Sequence, residues 1–308
     1  MKAVRYHQHG DSSVTGTKRS LVITGASGHL GRRTAELLLE RKDVDASDVV
    51  LVTRQVGELE DLGARGASVR FGDFDEPASL VGAFAGASRV LLISTRPPGA
   101  RVQHQNAIDA AKAAGASLIA YTSIPNPVVG VNTAAIVPDH AATEEALRVS
   151  GVAWTFLRNG LYAEMQVAPA QGAVASGTFA YNSGAGATAY VSREDCAAAA
   201  AAVLAGGDEH AGKAYDITGP ELFTGAQLAE LYASIGGTAV TGVALDDDGF
   251  VAGAVSHGLP EEVARFLASF GRAIREGQLN QLSGDVEALT GRAPTGLREV
   301  LATALVAS

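Results

Sequence analysis

The chain has 308 residues, of which 47% are hydrophobic and 19% charged, a length and composition that fit one large α/β domain, with or without a smaller appendage. No run approaches the roughly 20 apolar residues of a membrane helix, so we expect a soluble protein without a membrane partner. The net charge of −9, with only five lysines, argues against nucleic acid, because phosphate backbones are bound by clustered Lys and Arg.

The N-terminal residues bear on the cellular location of the protein, and its cysteine content bears on metal binding. Residues 1–19 are polar and aperiodic and lack a signal-peptide pattern, so they are predicted to form a flexible extension of a cytoplasmic protein. Cys196 is the only cysteine, which excludes an intrachain disulfide and a cysteine-based metal site. It is interpreted as a buried helix residue, with a reactive thiol as the alternative, and no metal is expected.

Short apolar runs rich in β-branched residues alternate with helix-patterned stretches from residue 21 onward. The predicted strands are residues 21–24, 49–53, 68–71, 89–94 and 118–122. The predicted helices between them are residues 30–41, 59–63, 78–85 and 102–114, and a helix over 139–149 and a strand over 153–157 continue the series. Continuous apolar strands that alternate with helices indicate a doubly wound parallel sheet covered on both faces.

The second half of the chain is less regular. It has a Gly-rich stretch at 182–186, a helix over 193–204, a strand over 213–217 and an acidic run at 246–248 that is predicted to cap a helix. The predicted organisation is a dinucleotide-binding core over 20–160. Residues 161–308 are predicted to form mainly a small C-terminal α/β lobe that binds substrate, with some segments returning to the core sheet.

A glycine-rich turn follows the first predicted strand and opens the first long helix. Its residues run Thr24-Gly25-Ala26-Ser27-Gly28-His29-Leu30-Gly31. The glycines allow a tight turn and close approach of a pyrophosphate, while the free N–H groups of the helix meet its negative charge. In this context the pattern predicts a Rossmann-type nucleotide site with contacts from Gly25, Ser27, Gly28, His29 and Leu30. An ordinary Gly-rich strand-to-helix turn is the alternative.

The second strand ends Val52-Thr53-Arg54, where an acidic residue would bind the ribose 2′-hydroxyl of NAD. Arg54 instead offers a planar fork of donors to a 2′-phosphate. NADPH is therefore favoured over NADH. A solvated loop arginine is the alternative interpretation.

The ends of the next three strands supply the other predicted cofactor contacts. Asp73 and Phe74 are placed at the adenine, although Asp73 or Asp75 could instead cap the following helix. The ribose and nicotinamide are placed against the ends of the fourth and fifth strands. The residues predicted there are Ile93, Ser94, Thr95, Tyr121, Thr122 and Ser123.

Several motifs in order resemble one family. They are the turn at 24–31, Ala120-Tyr121-Thr122-Ser123, His140-Ala141-Ala142-Thr143-Glu144, residues 155–164 and the closing segment 289–295. Together they resemble the NmrA-like atypical short-chain dehydrogenases, nearest the bacterial NADPH-dependent quinone reductase and triphenylmethane dye reductase branch. The resemblance implies a Rossmann domain with a small lobe, NADPH as hydride donor and flat conjugated acceptors. One departure is Met165, where the family's quinone reductases often have asparagine.

Most short-chain dehydrogenases pair a tyrosine with a lysine four positions later, and no tyrosine here has that partner. Simple alcohol chemistry is therefore disfavoured, whereas a quinone makes weaker demands because its reduced anion is delocalised. The candidate proton donor is His140, which the resemblance places near the cofactor, with Ser123 or Tyr162 assisting. Alternatively, His140 only contacts the ribose or a phosphate. Asn159 and Gly160 are predicted beside the nicotinamide.

Two kinds of function fit these observations. The first is an NADPH-dependent reductase that transfers hydride to a quinone or similar conjugated acceptor, within which a biosynthetic ketone or enone reductase stays open. The second is a cofactor-sensing regulatory protein with little catalysis, like the fungal members of the family. A monomer or a homodimer is expected in either case.

Overall fold

A computed structural model gives the structure of the protein and describes residues 19–95 and 99–306. The predicted extension, residues 1–19, lies outside the described residues apart from Arg19. The strands of the described part are β1 (Leu21–Ile23), β2 (Val49–Thr53), β3 (Ser68–Phe71), β4 (Arg89–Leu92), β5 (Leu118–Ser123), β6 (Ala153–Asn159), β7 (Leu161–Tyr162), β8 (Thr178–Tyr181), β9 (Ala187–Val191), β10 (Lys213–Ile217), β11 (Leu222–Thr224) and β12 (Thr241–Ala244). Its α-helices are α1 (His29–Glu40), α2 (Glu60–Ala64), α3 (Pro77–Ala83), α4 (Ala100–Ala113), α5 (Val137–Val149), α6 (Val167–Ser176), α7 (Arg193–Gly206), α8 (Gly225–Gly236), α9 (Asp247–Ser256), α10 (Glu261–Arg275), α11 (Asp285–Thr290) and α12 (Leu297–Val306).

A parallel sheet of seven strands forms the centre of the fold, in the order β10-β6-β5-β4-β1-β2-β3. Apolar residues of α1 and α7, such as Leu38 and Val203, pack on one face of this sheet. Leu80 of α3, Ile108 of α4 and Leu147 of α5 pack on the other face. Strands that are buried on both faces need the continuous apolar runs seen in the sequence, and the predicted doubly wound α/β fold is confirmed.

The predicted strands agree with the observed ones to within two residues. The largest difference in the first half is β4, which ends at Leu92 where the sequence predicts residue 94. Side chains take the N–H groups that follow: the Ile93 N–H donates to Thr24 Oγ1 and the Ser94 N–H to Thr122 Oγ1. The strand stops because these hydroxyls replace the acceptors of a neighbouring strand.

The second half of the chain builds two small sheets and also returns to the main one. The small sheets have the orders β11-β9-β7 and β12-β8. Their apolar side chains form a separate cluster with residues of α6, α8 and α12, which includes Tyr190 of β9 and Tyr232 of α8. Strand β10 pairs with β6 at the edge of the main sheet. Asp246 caps α9, as predicted, by accepting from the Gly249 N–H. The division of the chain at residue 160 stays a prediction.

Candidate functional site

The glycine-rich turn lies at the carboxyl end of β1, which pairs with β2 and β4 in the main sheet. Gly25 has φ +58°, a left-handed conformation that favours glycine, and its carbonyl accepts from the Gly28 N–H at 3.0 Å. A Cβ on Gly31 would lie 2.4 Å from the Gly25 carbonyl oxygen. The turn therefore requires glycine at 25 for its backbone and at 31 for the packing of α1 against it.

The first turn of α1 is open to an anion. Its N-cap, Gly28, supplies no side-chain hydrogen bond, and no acidic residue occupies the first turn. The leading N–H groups of a helix have no intrahelical acceptor and carry the positive end of its dipole. The Ser27 hydroxyl lies 2.9 Å from Thr53 Oγ1, which ties the turn to the end of β2. These residues fit the pyrophosphate of a dinucleotide.

Arg54 follows β2 directly beside this turn. Its side chain is exposed, and among the described residues it has no hydrogen bond or ion pair that would hold it away from a ligand. A free guanidinium at the tip of this strand suits a 2′-phosphate better than it suits the two hydroxyls of an unphosphorylated ribose.

Replacing Arg54 with alanine should narrow the difference in affinity between NADPH and NADH by about tenfold, the loss expected for one charge-assisted contact. Calorimetric titration of both cofactors measures it. Arg65→Ala is the matched control, because Arg65 is also exposed but follows α2 at the opposite edge of the sheet. Equal affinities of the unmodified protein for the two cofactors would contradict the role of Arg54.

The loop after β3 holds the predicted adenine contacts. The Asp73 carboxylate accepts from the Asp75 N–H at 3.0 Å, and the Phe74 carbonyl accepts from Asn106 Nδ2 at 2.8 Å. The N-cap of α3 is Glu76 and makes no side-chain hydrogen bond, so neither Asp73 nor Asp75 caps the helix as the alternative interpretation required. Phe74 is half-buried against the core. Contact of Asp73 and Phe74 with adenine stays a prediction.

Three successive N–H groups at the end of β4 are held by side chains. In addition to the bonds from Ile93 and Ser94, the Thr95 N–H donates to His104 Nε2 at 2.9 Å. Thr122 Oγ1 donates to Ser94 Oγ at 3.1 Å, so the Ser94 hydrogen is free to donate to a ligand. The residues predicted to line the ribose are thus brought to one place by partners that include His104, which the sequence analysis missed.

A cluster of buried polar side chains joins β5 to helices α4 and α5. The Tyr121 hydroxyl is 2.8 Å from His140 Nδ1, and the two rings are 5.7 Å apart. His104 Nδ1 is 2.8 Å from Thr143 Oγ1. Tyr121 as a whole residue is 0% exposed, so neither its side chain nor its backbone is open to a ligand, and its contact with the cofactor stays a prediction. Threonine and histidine at 143 and 140 are one helical turn apart on α5, a spacing that could have indicated a shared buried face.

Burial lowers the pKa of both histidines to about 4, because an imidazolium ion loses hydration in the core. Both rings are therefore neutral at pH 7. His140 cannot serve there as an imidazolium proton donor, although a neutral ring can still donate a hydrogen bond.

The neutral histidines should make the fold sensitive to acid. Their folded-state pKa values lie below the unfolded value of about 6.5, so the unfolded chain takes up protons first as the pH falls from 6.5 towards 4. The free energy of unfolding should fall by roughly 2 kcal/mol between pH 6 and pH 5 from these two groups. Urea unfolding at pH 7, 6 and 5 measures it. In His104→Gln the fall should be shallower, and an equal fall in both proteins would contradict the assignment.

Ser123 is joined to a buried ion cluster. Its hydroxyl donates to Glu144 Oε1 at 2.8 Å, and the Glu144 side chain is 1% exposed. The same carboxylate accepts two bonds from Arg158 and one from Arg148. Because its hydrogen is taken, Ser123 can only accept from a ligand. The Glu144 cluster was not predicted, although a buried glutamate on α5 needs such cationic partners.

Asn159 and Gly160 lie where β6 gives way to β7. The Gly160 N–H donates to the Ile217 carbonyl at 2.8 Å, and a Cβ on Gly160 would lie 3.3 Å from two backbone carbonyl oxygens. Asn159 Nδ2 donates to the Tyr162 hydroxyl at 3.4 Å, while Asn159 Oδ1 is buried without a partner among the described residues. Burial raises the pKa of Tyr162 above its ordinary value, so this hydroxyl does not ionise near neutral pH.

The lysines and the cysteine of the described residues do not add a catalytic group. Lys42 and Lys112 lie near the carboxyl ends of α1 and α4, and Lys213 begins β10, so these lysines are at the amino edge of the sheet. Cys196 is buried, and burial raises its pKa, as its interpretation as a helix residue requires. The described part contains no cluster of three metal-ligating side chains. It also contains no helix with the length and apolarity to cross a bilayer.

Comparison with known proteins places this site in a family. A family model described as NAD(P)H-binding matches residues 25–206, more than half of the chain. The chain belongs to the NAD(P)H-binding family. Within this family it is 38% identical over 280 residues to quinone oxidoreductase 2 of Escherichia coli, a match that covers 91% of this chain and 96% of that protein.

Two solved structures of the family share the fold. The Escherichia coli NADPH-dependent quinone oxidoreductase complexed with NADPH has a TM-score of 0.87 and 36% identity, covering 92% of this chain and 99% of that one. The Citrobacter sp. triphenylmethane reductase complexed with NADP(H) has a TM-score of 0.85 and 33% identity, covering 92% and 100%. The resemblance to this branch that the motifs indicated is confirmed.

Proposed function

We propose that this protein is an NADPH-dependent reductase that transfers a hydride to a quinone or a similar conjugated acceptor. The observation that supports this class of acceptor is the protonation and hydrogen bonding of the polar groups at the carboxyl edge of the sheet. His140 is neutral, Ser123 donates its hydrogen to Glu144, and burial disfavours ionisation of Tyr162. An acceptor whose reduced anion is delocalised does not need a strong acid.

The nucleotide site supports NADPH as the reductant. The glycine turn and the open first turn of α1 would hold the pyrophosphate, and Arg54 would hold the 2′-phosphate. The chemistry that the cofactor would supply when bound is hydride donation from its nicotinamide. The names of the relatives point to acceptors of the same class, a quinone in one case and a triphenylmethane dye in the other.

The protein's own contribution to the reaction is orientation and hydrogen bonding. Ser94 can donate to a ligand, Ser123 and Asn159 Oδ1 can accept, and the neutral His140 ring can donate to the acceptor's oxygen. Water supplies the proton that completes the reduced product. In this proposal His140, Ser123 and Tyr162 contact the reacting groups, and none of them acts as a strong acid.

We also propose the kind of partner, the cellular location and the oligomeric state of the protein. The net charge of −9 supports a small-molecule partner and the absence of a nucleic-acid partner. A cytoplasmic location and a monomeric or homodimeric state are proposed with it.

Oxidation of NADPH, followed by its absorbance, tests the function against a panel of quinones, conjugated enones and triphenylmethane dyes. We expect turnover with at least one class at saturating NADPH. Tight binding of NADPH without turnover of any acceptor would contradict a reductase and favour a cofactor-sensing regulatory protein.

A further inference from the structure

The tautomer of His104 follows from its backbone partner. The Thr95 N–H, 2.9 Å from His104 Nε2, can only donate, so Nε2 accepts. The one hydrogen of this neutral ring is therefore on Nδ1, and it is donated to Thr143 Oγ1 at 2.8 Å. Thr143 in turn donates its own hydrogen to the Asp139 carbonyl at 2.8 Å. The Thr95 N–H at one end and the Asp139 carbonyl at the other therefore set the direction of every hydrogen bond in this buried series.

The tautomer of His140 depends on its hydrogen bond with Tyr121. Thr143, whose hydroxyl accepts from His104 and donates to Asp139, is also near the Tyr121 phenol, but no hydrogen bond of ordinary geometry joins the two hydroxyls. The phenol's short hydrogen bond is the one to His140 Nδ1 at 2.8 Å. If the phenol donates, both groups are satisfied. If Nδ1 donates instead, the phenol hydrogen of a fully buried side chain loses that bond.

We propose that Tyr121 is a positioning residue that holds His140 as the Nε2–H tautomer, so that the ring presents a hydrogen-bond donor at the carboxyl edge of the sheet. The inference rests on the proposed function for its catalytic consequence, but the tautomer itself does not depend on turnover. His140 lies in the first turn of α5, which begins at that edge. The residue is 5% exposed, and Nε2 has no hydrogen-bond partner among the described residues.

The surroundings of His140 favour a neutral donor. The titratable groups that face it are Tyr121 from β5, His104 from α4, and Asp139 and Glu144 of its own helix. Desolvation outweighs the two carboxylates, so the ring stays uncharged. When hydride adds to a quinone, the electron pair moves to a carbonyl oxygen. The Nε2–H group would bind that oxygen, and water would then protonate it.

Nuclear magnetic resonance of protein labelled with ¹⁵N in histidine tests the tautomer directly, without cofactor or acceptor. At pH 7.5 we expect His140 protonated on Nε2 and His104 protonated on Nδ1, two opposite tautomers in one spectrum. His140→Gln and His104→Gln identify the two sets of signals. A His140 ring protonated on Nδ1 would overturn the proposal.

Tyr121→Phe tests the consequence. It should remove the single tautomer of His140 from the spectrum and lower kcat for quinone reduction on the order of tenfold, with the Kd for NADPH unchanged. Tyr232→Phe is the matched control, because Tyr232 is also fully buried and donates to Gln166 Oε1 at 2.6 Å, but in the separate cluster of the lobe. Tyr232→Phe should lower the free energy of unfolding about as much as Tyr121→Phe does. It should leave kcat and the ¹⁵N signals of His140 unchanged.

The outcomes separate the two proposals. An unchanged kcat and an unchanged His140 tautomer in a folded Tyr121→Phe protein would overturn the role of Tyr121 while the reductase function stands. Absence of turnover with every acceptor in the unmodified protein would overturn the function, while the spectrum still decides the tautomer. If Tyr121→Phe does not fold, the spectrum of the unmodified protein carries the test.

Discussion

Replacing Gly28 with valine should abolish NADPH binding while the protein stays folded. Gly28 has φ −76° and ψ 161°, an extended conformation that valine adopts readily. Its Cβ would approach the Gly25 carbonyl oxygen to 3.2 Å, a tight contact that a small shift relieves. The branched side chain would, however, occupy the space that a pyrophosphate needs at the open end of α1. Calorimetric titration with NADPH and thermal unfolding of the same sample measure the two effects.

Two other glycines provide controls for this substitution. Gly31→Val should lower the stability of the fold itself, because its Cβ would lie 2.9 Å from the Ala26 Cα and closer still to the Gly25 oxygen. Gly172→Val on α6 should change neither property, since no atom lies within 4 Å of its added Cβ. A folded Gly28→Val protein that binds NADPH with its original affinity would show that the turn is not the nucleotide site.

Quinones should be reduced about 10²–10⁴-fold faster than unactivated ketones, which is the range that general acid catalysis supplies when a strong donor is present. Neutral His140 cannot give up a proton readily at pH 7, and the lysines of the described residues lie at the other edge of the sheet. A localised alkoxide would therefore form without a strong acid, whereas a hydroquinone anion is stabilised by delocalisation.

Benzoquinone and cyclohexane-1,4-dione are a suitable pair of acceptors, because both are six-membered rings with oxygens at opposite positions. Initial rates of NADPH oxidation, corrected for the uncatalysed reaction, give the ratio. Robust turnover of the saturated dione would mean that a strong proton donor acts in the site, and the proposed role of a neutral His140 would be wrong.

The fold could be predicted because its signals are local. Strand β2 and helix α7 follow from apolar runs, and the turn at Gly25 follows from its position between a strand and a helix. The sequence also indicated which strand ends meet, since parallel strands place their carboxyl ends at one edge. Nothing local indicated that His104, far from His140 in the chain, would share its buried cluster, or that Glu144 would bind Ser123 and two arginines. Such contacts depend on side-chain directions across different elements.

The two small sheets were the other part that sequence patterns did not reveal. Strand β7 has two residues and β11 has three, too few for an alternating pattern to be distinguished from a loop. Their partners are distant in the chain, because β7 and β11 both pair with β9. The carbonyls of Ile217 and Ala189 approach Gly160 closely, and Gly160 marks the crossing from the main sheet to the sheet that contains β7.

The side chains that hold the end of β4 have a consequence for the thermodynamics of cofactor binding. The N–H groups of Ile93, Ser94 and Thr95 are bonded to side chains of the protein itself, Thr24, Thr122 and His104. An incoming nucleotide does not have to order these backbone groups or remove water from them. Little conformational entropy is then lost at these three residues, and the favourable contacts of the nucleotide contribute more fully to its affinity.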